Sequence, residues 1–409
     1  MRYVIIGNSA AAIGAVEGIR QIDQAGEIEI ITDEACHTYS RPLISYLLGG
    51  KVTREKMKYR SEDFYEKHRC LLRYHAKVQA VQPKEKFAVL ADGTQVPYDK
   101  LLVATGSSAF VPPFEGFETV KNKHTFMSMD DALGLQAALG KNKRVLIVGA
   151  GLIGLKCAEG IAGKVSGIHV VDLAPRILSS ILDEGGAKRV QAHLEEKGIV
   201  LHLSCGIQRF VGNKAITSEG EEIPFDILVI AVGVRPNTAL LEGIASTDKG
   251  IEVDGKSATD APDIYAAGDC TQTMDCSGGE SRPMAILPNA YMQGECAGIN
   301  MAGGEKVFDT AIPMNAIGFF GLHIITAGHY NGEVTGMEDG TSYKRFFYSG
   351  NRLKGYILIG EVEKAGIYTS LLREHTPLDT IDFALVCEKP GLMAFAKEER
   401  SLKLGGGLG

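Results

Sequence analysis

The chain opens on a short apolar run, Val4-Ile5-Ile6, that breaks at Gly7 and passes into a helical pattern from Ala10 to Ile19 before returning to strand at Ile28-Glu29-Ile30-Ile31. A near-continuous apolar run of this length predicts a parallel strand buried on both faces, and the succession predicts a β-α-β unit. The pattern recurs about 140 residues on, a separation of roughly one domain. There Val145-Leu146-Ile147-Val148 runs into Gly149, a helix follows through Ile161, and Ile168-His169-Val170-Val171 closes the unit at Asp172. Two such units predict a duplicated α/β architecture.

The turn between strand and helix carries the chemistry. In the second unit it reads Gly149-Ala150-Gly151-Leu152-Ile153-Gly154, a full G-x-G-x-x-G between a strand and a helix. Gly149 permits the tight turn, Gly151 lets the backbone approach a pyrophosphate, Gly154 allows helix–strand contact, and the helix N-terminus offers partial positive charge. Asp172, about twenty residues on, is placed to accept hydrogen bonds from a ribose 2′-hydroxyl. A carboxylate there repels a 2′-phosphate and favours NADH over NADPH, while Arg176 pulls the other way. The competing reading is a glycine turn chosen only for packing. The first unit, Gly7-Asn8-Ser9-Ala10-Ala11-Ala12, keeps the first glycine, has Ser9 at the second, where the hydroxyl can donate to a phosphate oxygen, and alanine at the third. Asp33 and Glu34 both follow the second strand, and spacing does not choose between them for a ribose contact.

Composition narrows the classes. At 409 residues the chain is long enough for two or three domains of roughly 100–200 residues each. Its 43 basic and 50 acidic residues give a net charge of −7, which argues against a phosphate-tracking nucleic-acid surface. The longest uncharged stretch, Ala311 to Gly332, includes Pro313, Asn315, His323 and several glycines, and reads as buried strand and turn rather than a membrane span. Because Met1 to Gly7 enters an apolar strand at once, the expected location is cytoplasmic. Eight cysteines without a C-x-x-C pair or zinc-ligand spacing predict reduced core residues and no metal site.

Three further segments extend the pattern: Ala104-Thr105-Gly106 after Leu101-Leu102-Val103, Ala231-Val232-Gly233-Val234-Arg235-Pro236-Asn237, and Ile264-Tyr265-Ala266-Ala267-Gly268-Asp269-Cys270. With the two glycine turns, and in this order over about residues 1–330, they resemble the FAD-dependent pyridine nucleotide-disulfide oxidoreductases. Within that family, Tyr39-Ser40-Arg41-Pro42-Leu43-Ile44-Ser45 is most similar to NADH:rubredoxin reductases and to the flavin domain of NAD(P)H nitrite reductases. The runs Tyr343 to Phe347 and Leu353 to Gly360 resemble their small terminal domain.

The resemblance implies an α/β fold: two Rossmann-like, three-layer β/β/α dinucleotide-binding domains plus a small α+β C-terminal domain. The expected boundaries are 1–108 with 238–310 for FAD, 109–237 for NAD, 311–394 for the small domain, and a glycine-rich tail over 395–409 that is expected to be disordered. It implies FAD contacts from Gly7, Ser9, Ala10, Ala11, Pro42, Val78, Ala104, Thr105 and Gly106, with Asp33 or Glu34 at the ribose. Arg41 is expected at the pyrophosphate, Gly268-Asp269 at the ribityl chain, and the helix opened by Pro288-Asn289-Ala290 and running through Gly298 at the flavin's pyrimidine edge. There Asn289 either meets the flavin or only caps the helix. The NAD(H) set is Gly149, Gly151, Leu152, Ile153, Gly154, Asp172, Arg176, Val232 and Gly233.

An absence narrows the chemistry. Disulfide reductases of this family set a redox cysteine pair beside the flavin, and the coenzyme A-disulfide reductase branch keeps one cysteine there. The aligned residue here is Pro42, so no thiolate accepts electrons at that point. Cys36 lies six residues earlier and reads as an inert thiol; Cys270 and Cys276 read as packing rather than a redox pair. The expected function is hydride transfer between NAD(H) and flavin with single-electron exchange to an iron–sulfur or rubredoxin-type protein, alone or as the flavin subunit of a larger complex; oligomers are allowed. The alternatives are an NADH oxidase or a reductase of a small disulfide or peroxide and, from another class, an FAD-stabilised interaction or redox-sensing scaffold. No side-chain acid or base is demanded. Related enzymes commonly have Leu-Glu after the third glycine, whereas this chain has Leu155-Lys156. Lys156 then contacts the nicotinamide or flavin, pairs with a partner's carboxylate, or is a solvated helix residue, with Glu159 within pairing reach along the helix.

Overall fold

The computed structural model describes residues 1–391. The expected tail, 395–409, and the last positions of the expected small domain, 392–394, lie outside the described residues.

The opening apolar run is the strand Arg2–Ile6, centre of a five-stranded parallel sheet. Glu27–Ile31 flanks it with Ile5 opposite Ile30, and Lys100–Val103 flanks it on the other side with Ile5 opposite Leu102. Cys70–Arg73 and Ile264–Ala266 complete the two edges. Because successive side chains alternate faces, Tyr3 and Ile5 pack under the helix Ala10–Ile22, whereas Val4 and Ile6 pack under a small antiparallel sheet of Val78–Gln82, Phe87–Leu90 and Gln95–Pro97. Both faces are covered, which is why the strand is apolar throughout and not alternating.

The helix Ala10–Ile22 meets the later helix Leu287–Met301 backbone to backbone. A Cβ built on Gly14 would stand 2.2 Å from the carbonyl oxygen of Tyr291, and one on Gly294 would stand 2.0 Å from that of Ala11. Gly18 and Gly298 repeat the arrangement one turn further along, against Glu295 and Ala15. Glycine is the only residue that fits at these crossings, so the small-residue pattern of both helices is a packing requirement.

The second unit reproduces the first. Arg144–Val148 lies between Gly167–Val171 and Ile227–Ile230, all parallel, with Ile199–His202 and Lys123–His124 at the edges. An antiparallel sheet of Ile207–Val211, Lys214–Thr217 and Glu222–Pro224 packs Phe210, Ile223 and Phe225 against Leu146 and Val148. Two short strands, Ser107–Ala109 and Val234–Pro236, pair where the chain passes from the first sheet to the second and where it leaves the second.

The described chain divides into two compact units. Both parallel sheets belong to the first, which comprises residues 1–175, 198–274 and 281–311. The second comprises 176–197, 275–280 and the chain from Ile312 onward. Its sheet is antiparallel, in the order Met314–Phe319, Leu322–Gly328, Arg352–Ile359, Tyr343–Ser349, Glu333–Glu338, with Phe346, Tyr356 and Tyr368 in its core. The uncharged run from Ala311 supplies the first two of these strands, turning at Phe320-Gly321, both at positive φ. Among the described residues no helix is long and apolar enough to cross a membrane.

Candidate dinucleotide-binding sites

In the first turn Gly7 sits at φ +113°, and a Cβ there would lie 2.2 Å from the carbonyl oxygen of Ala104. The close approach brings the end of the first strand against Ala104, whose amide donates to Ile6 at 2.8 Å. Ser9 is the N-cap of the following helix, but its side chain makes no cap bond. Instead its Oγ accepts from Arg41 Nε at 3.4 Å. Arg41 also pairs with Glu34 and donates to the Tyr39 hydroxyl at 3.3 Å. Glu34 holds the guanidinium, while Asp33 is exposed. Ala10 and Ala11 are buried in the first helical turn, Pro42 is exposed at the start of the short helical run that continues as Ile44–Leu48, and Val78 is buried in the covering sheet.

The second turn assigns its three glycines three different jobs. A Cβ on Gly149, at φ +116°, would lie 2.2 Å from the carbonyl oxygen of Ala231; one on Gly154 would lie 2.0 Å from that of Gly149; one on Gly151, the helix N-cap, would meet nothing within 4 Å. The outer two are packing glycines, and the middle one leaves an open cradle in front of the helix Leu152–Ile161. Asp172 Oδ2 accepts from the amide of Ala150 at 2.6 Å and Oδ1 from that of Ala174 at 2.8 Å. Each oxygen retains acceptor capacity. Arg176 donates to the carbonyls of Ser179 and Leu182. Val232 is half-buried, and Gly233, at φ +116°, is exposed with nothing within 4 Å of its Cβ position.

The helix of the first turn meets a third group at Gly268-Asp269. Gly268, at φ +85°, would bring a Cβ to 3.1 Å from that of Ala11, so it packs on the first helix. Its amide donates to Gln293 Oε1 at 2.8 Å, and Thr271 donates to the same oxygen at 3.1 Å. Burial pushes the Asp269 carboxyl up, with Arg41 and a 3.5 Å bond from Ser107 Oγ opposing it. A desolvated carboxylate with so few donors suits a polyol. The helix behind it runs Leu287–Met301 with Ile286 as N-cap and no side-chain cap bond. Asn289 is therefore inside the helix and 5% exposed, not its cap. Thr105 and Gly106, next to this group, exchange hydrogen bonds with Asn237: Thr105 Oγ1 to its carbonyl at 2.8 Å and its Nδ2 to the Thr105 carbonyl at 2.9 Å.

Comparison with known proteins decides the relationship. Residues 1–294 match the model of the pyridine nucleotide-disulphide oxidoreductases. The chain belongs to this family. It is 32% identical over 391 residues, covering 92% of each chain, to the epsilon subunit of an NADH-dependent phenylglyoxylate dehydrogenase from Aromatoleum evansii. It is 33% identical to an NADH oxidase of Methanocaldococcus jannaschii, covering 75% of this chain and 71% of the relative. The structure of a covalent putidaredoxin reductase–putidaredoxin complex shares the fold, with TM-score 0.87 at 21% identity over 95% of this chain and 96% of the other.

FAD and NAD(H) are the family's cofactors, and the residues present fit them: one cradle is open at Gly151, and the Asp269 carboxylate is short of donors. The turn Arg41–Leu43 carries Pro42 and no cysteine. Cys36 is half-buried, 3.9 Å from Glu34 Oε2, and burial with the Glu34 charge raises its pKa. Cys270 is fully buried under the Val103 and Ala267 carbonyls, its pKa pushed up to about 11. Cys276 packs against the core of the second unit. All eight cysteines are free.

Lys156 is not a solvated helix residue. Its side chain is 16% exposed, pairs with Glu159 and lies over the Tyr46 ring at 4.5 Å. Gln293, Asn237 and Tyr46 were not among the residues singled out as contacts from sequence, because each acts through partners distant in the chain. Gln293 lies one helical turn beyond Ala290, and Asn237 ends the segment 231–237, so both had a local signal.

Proposed function

We propose that this chain is an NADH-linked FAD flavoprotein that exchanges single electrons with an iron–sulfur or rubredoxin-type protein, as the flavin subunit of a larger oxidoreductase. FAD, when bound, supplies hydride acceptance and the change from two-electron to one-electron transfer. The chain's own residues bind and orient. Ser9 and Arg41 offer donors to the FAD pyrophosphate, Asp269 accepts from the ribityl hydroxyls, and Gly151 opens the helix N-terminus to the NAD pyrophosphate. Asp172 accepts from the nicotinamide dinucleotide's ribose and, by its charge, favours NADH. In this reading the FAD domain is 1–108 with 238–310 and the NAD domain 109–237.

The observation that carries the reading is the open cradle at Gly151 in the second of two strand–turn–helix units, together with Pro42 rather than a cysteine in the turn Arg41–Leu43 of the first. The relatives support it: one is a subunit of an NADH-dependent dehydrogenase, and a fold neighbour is a reductase joined to its putidaredoxin. Eight free thiols suit a reducing, cytoplasmic setting.

Anaerobic mixing with NADH tests the reading. The flavin absorption is expected to bleach, and a rubredoxin or [2Fe–2S] ferredoxin to restore it faster than oxygen or a small disulfide. Restoration by oxygen alone would make the chain an oxidase, as the Methanocaldococcus relative is named; absence of bleaching would leave a scaffold.

A further inference from the structure

The geometry points to Lys156 as an electrostatic positioning residue: held on the Tyr46 ring and countered by Glu159, it presents positive charge where hydride passes between the two dinucleotides and raises the flavin's reduction potential. This deepens the function proposed above and rests on it.

Two helices carry the argument. Ile44–Leu48 continues directly from the turn Arg41–Leu43, whose Arg41 reaches Ser9 at the first glycine turn. Leu152–Ile161 begins at Gly151 of the second. The two helices are locked together. A Cβ on Gly160 would lie 2.8 Å from the carbonyl oxygen of Ser45, and Lys164 Nζ donates to the carbonyl of Leu48. Lys51 Nζ bonds Glu159 Oε1 at 3.0 Å. Tyr46 lies one helical turn beyond Pro42, and Lys156 lies two residues beyond Gly154. The joint therefore ties the loop assigned to the flavin to the helix assigned to the nicotinamide dinucleotide, and hydride can cross only where those two meet.

The charges at the joint differ in exposure. The Glu159 side chain is 6% exposed and the Lys156 side chain 16%, so both charges are largely withdrawn from solvent. The Tyr46 ring fixes Lys156 at 4.5 Å with its negative face, while Lys51 lies 5.5 Å from the same ring. The Lys156–Glu159 pair lies within one helix, so it is the Tyr46 ring of the other helix that fixes the cation at the joint. Reduction adds negative charge to the bound flavin, and a fixed cation nearby favours it.

The test is the midpoint potential of bound FAD, measured spectroelectrochemically. Lys156→Gln is expected to shift the two-electron equilibrium about tenfold toward the oxidised form, about 30 mV lower. Glu159→Gln is expected to shift it the opposite way, and Lys156→Arg to keep the wild-type value. Equal potentials in wild type, Lys156→Gln and Glu159→Gln, or shifts of one sign in both, would overturn the proposal. Should Lys156→Gln lose its flavin, Tyr46→Leu decides: it keeps every charge and frees the lysine, so a lowered potential supports the assignment and an unchanged one ends it. A wild-type protein without flavin would instead refute the function on which the proposal rests.

Discussion

Asp269 shows how a binding residue weakens the fold that carries it. Burial raises its carboxyl above the ordinary 3.8, and neither the Arg41 charge nor the Ser107 hydroxyl fully reverses that. A carboxyl with a raised pKa in the folded state holds its proton longer than it does in the unfolded chain. Its stabilising contribution is therefore fully present below the ordinary value and is lost as pH rises through the raised one. Asp269→Asn keeps the shape and removes the charge. In FAD-free protein it is expected to raise Tm at pH 7, with the gain shrinking as pH falls toward 4. The same variant loses a charge-assisted acceptor of about 1.5–3 kcal/mol, or about ten- to a hundredfold in FAD affinity. Thermal melts across pH and FAD titration check both halves; a variant less stable than wild type at pH 7 without FAD would contradict the assignment.

At the scale of elements, the crossing of Ala10–Ile22 with Leu287–Met301 makes a sharp prediction, because the cost of a single methyl depends on where it points. Gly294→Ala places a Cβ 2.0 Å from the Ala11 carbonyl oxygen, and that oxygen belongs to a helix backbone that cannot yield locally. The helices must separate, at about 1–3 kcal/mol for an overpacked contact or more. Gly167→Ala, with nothing within 4 Å of its Cβ, is expected to leave Tm almost unchanged. Parallel melts of the two variants distinguish a crossing requirement from general glycine intolerance. The contrast also explains what was legible in the sequence. Gly7, Gly149, Gly151 and Gly154 could be read because a turn's demands on its own backbone are local and leave a fixed spacing. The bond from Gly268 to Gln293 and the seat of Lys156 on Tyr46 could not, because each joins segments whose neighbourhood only the folded sheets create. Asn289 was open to reading as a cap because a prolyl residue beside it suggested a helix start, whereas the first turn in fact begins one residue before that proline.

At the scale of the whole chain, the decisive question is whether electrons leaving the flavin must pass through sulfur. A relay needs a thiolate, and a thiolate needs a lowered pKa and access to its partner. Neither Cys36 nor Cys270 has the lowered pKa. Cys36 is raised by burial and by Glu34, Cys270 is buried at 0% exposure with its thiol near 11, and Cys276 belongs to the packing of the second unit. Replacing each singly with alanine is therefore expected to leave NADH-driven reduction of a one-electron acceptor within about twofold of wild type, although Cys270→Ala loses core contacts and about 1 kcal/mol of stability. The independent check is stoichiometric. Anaerobic titration of the oxidised protein should end near one NADH per bound FAD, because no second two-electron store is available. An endpoint near two, falling to one in a single cysteine variant, would identify a dithiol taking part in the reaction and would place this chain with the disulfide-reducing members of its family.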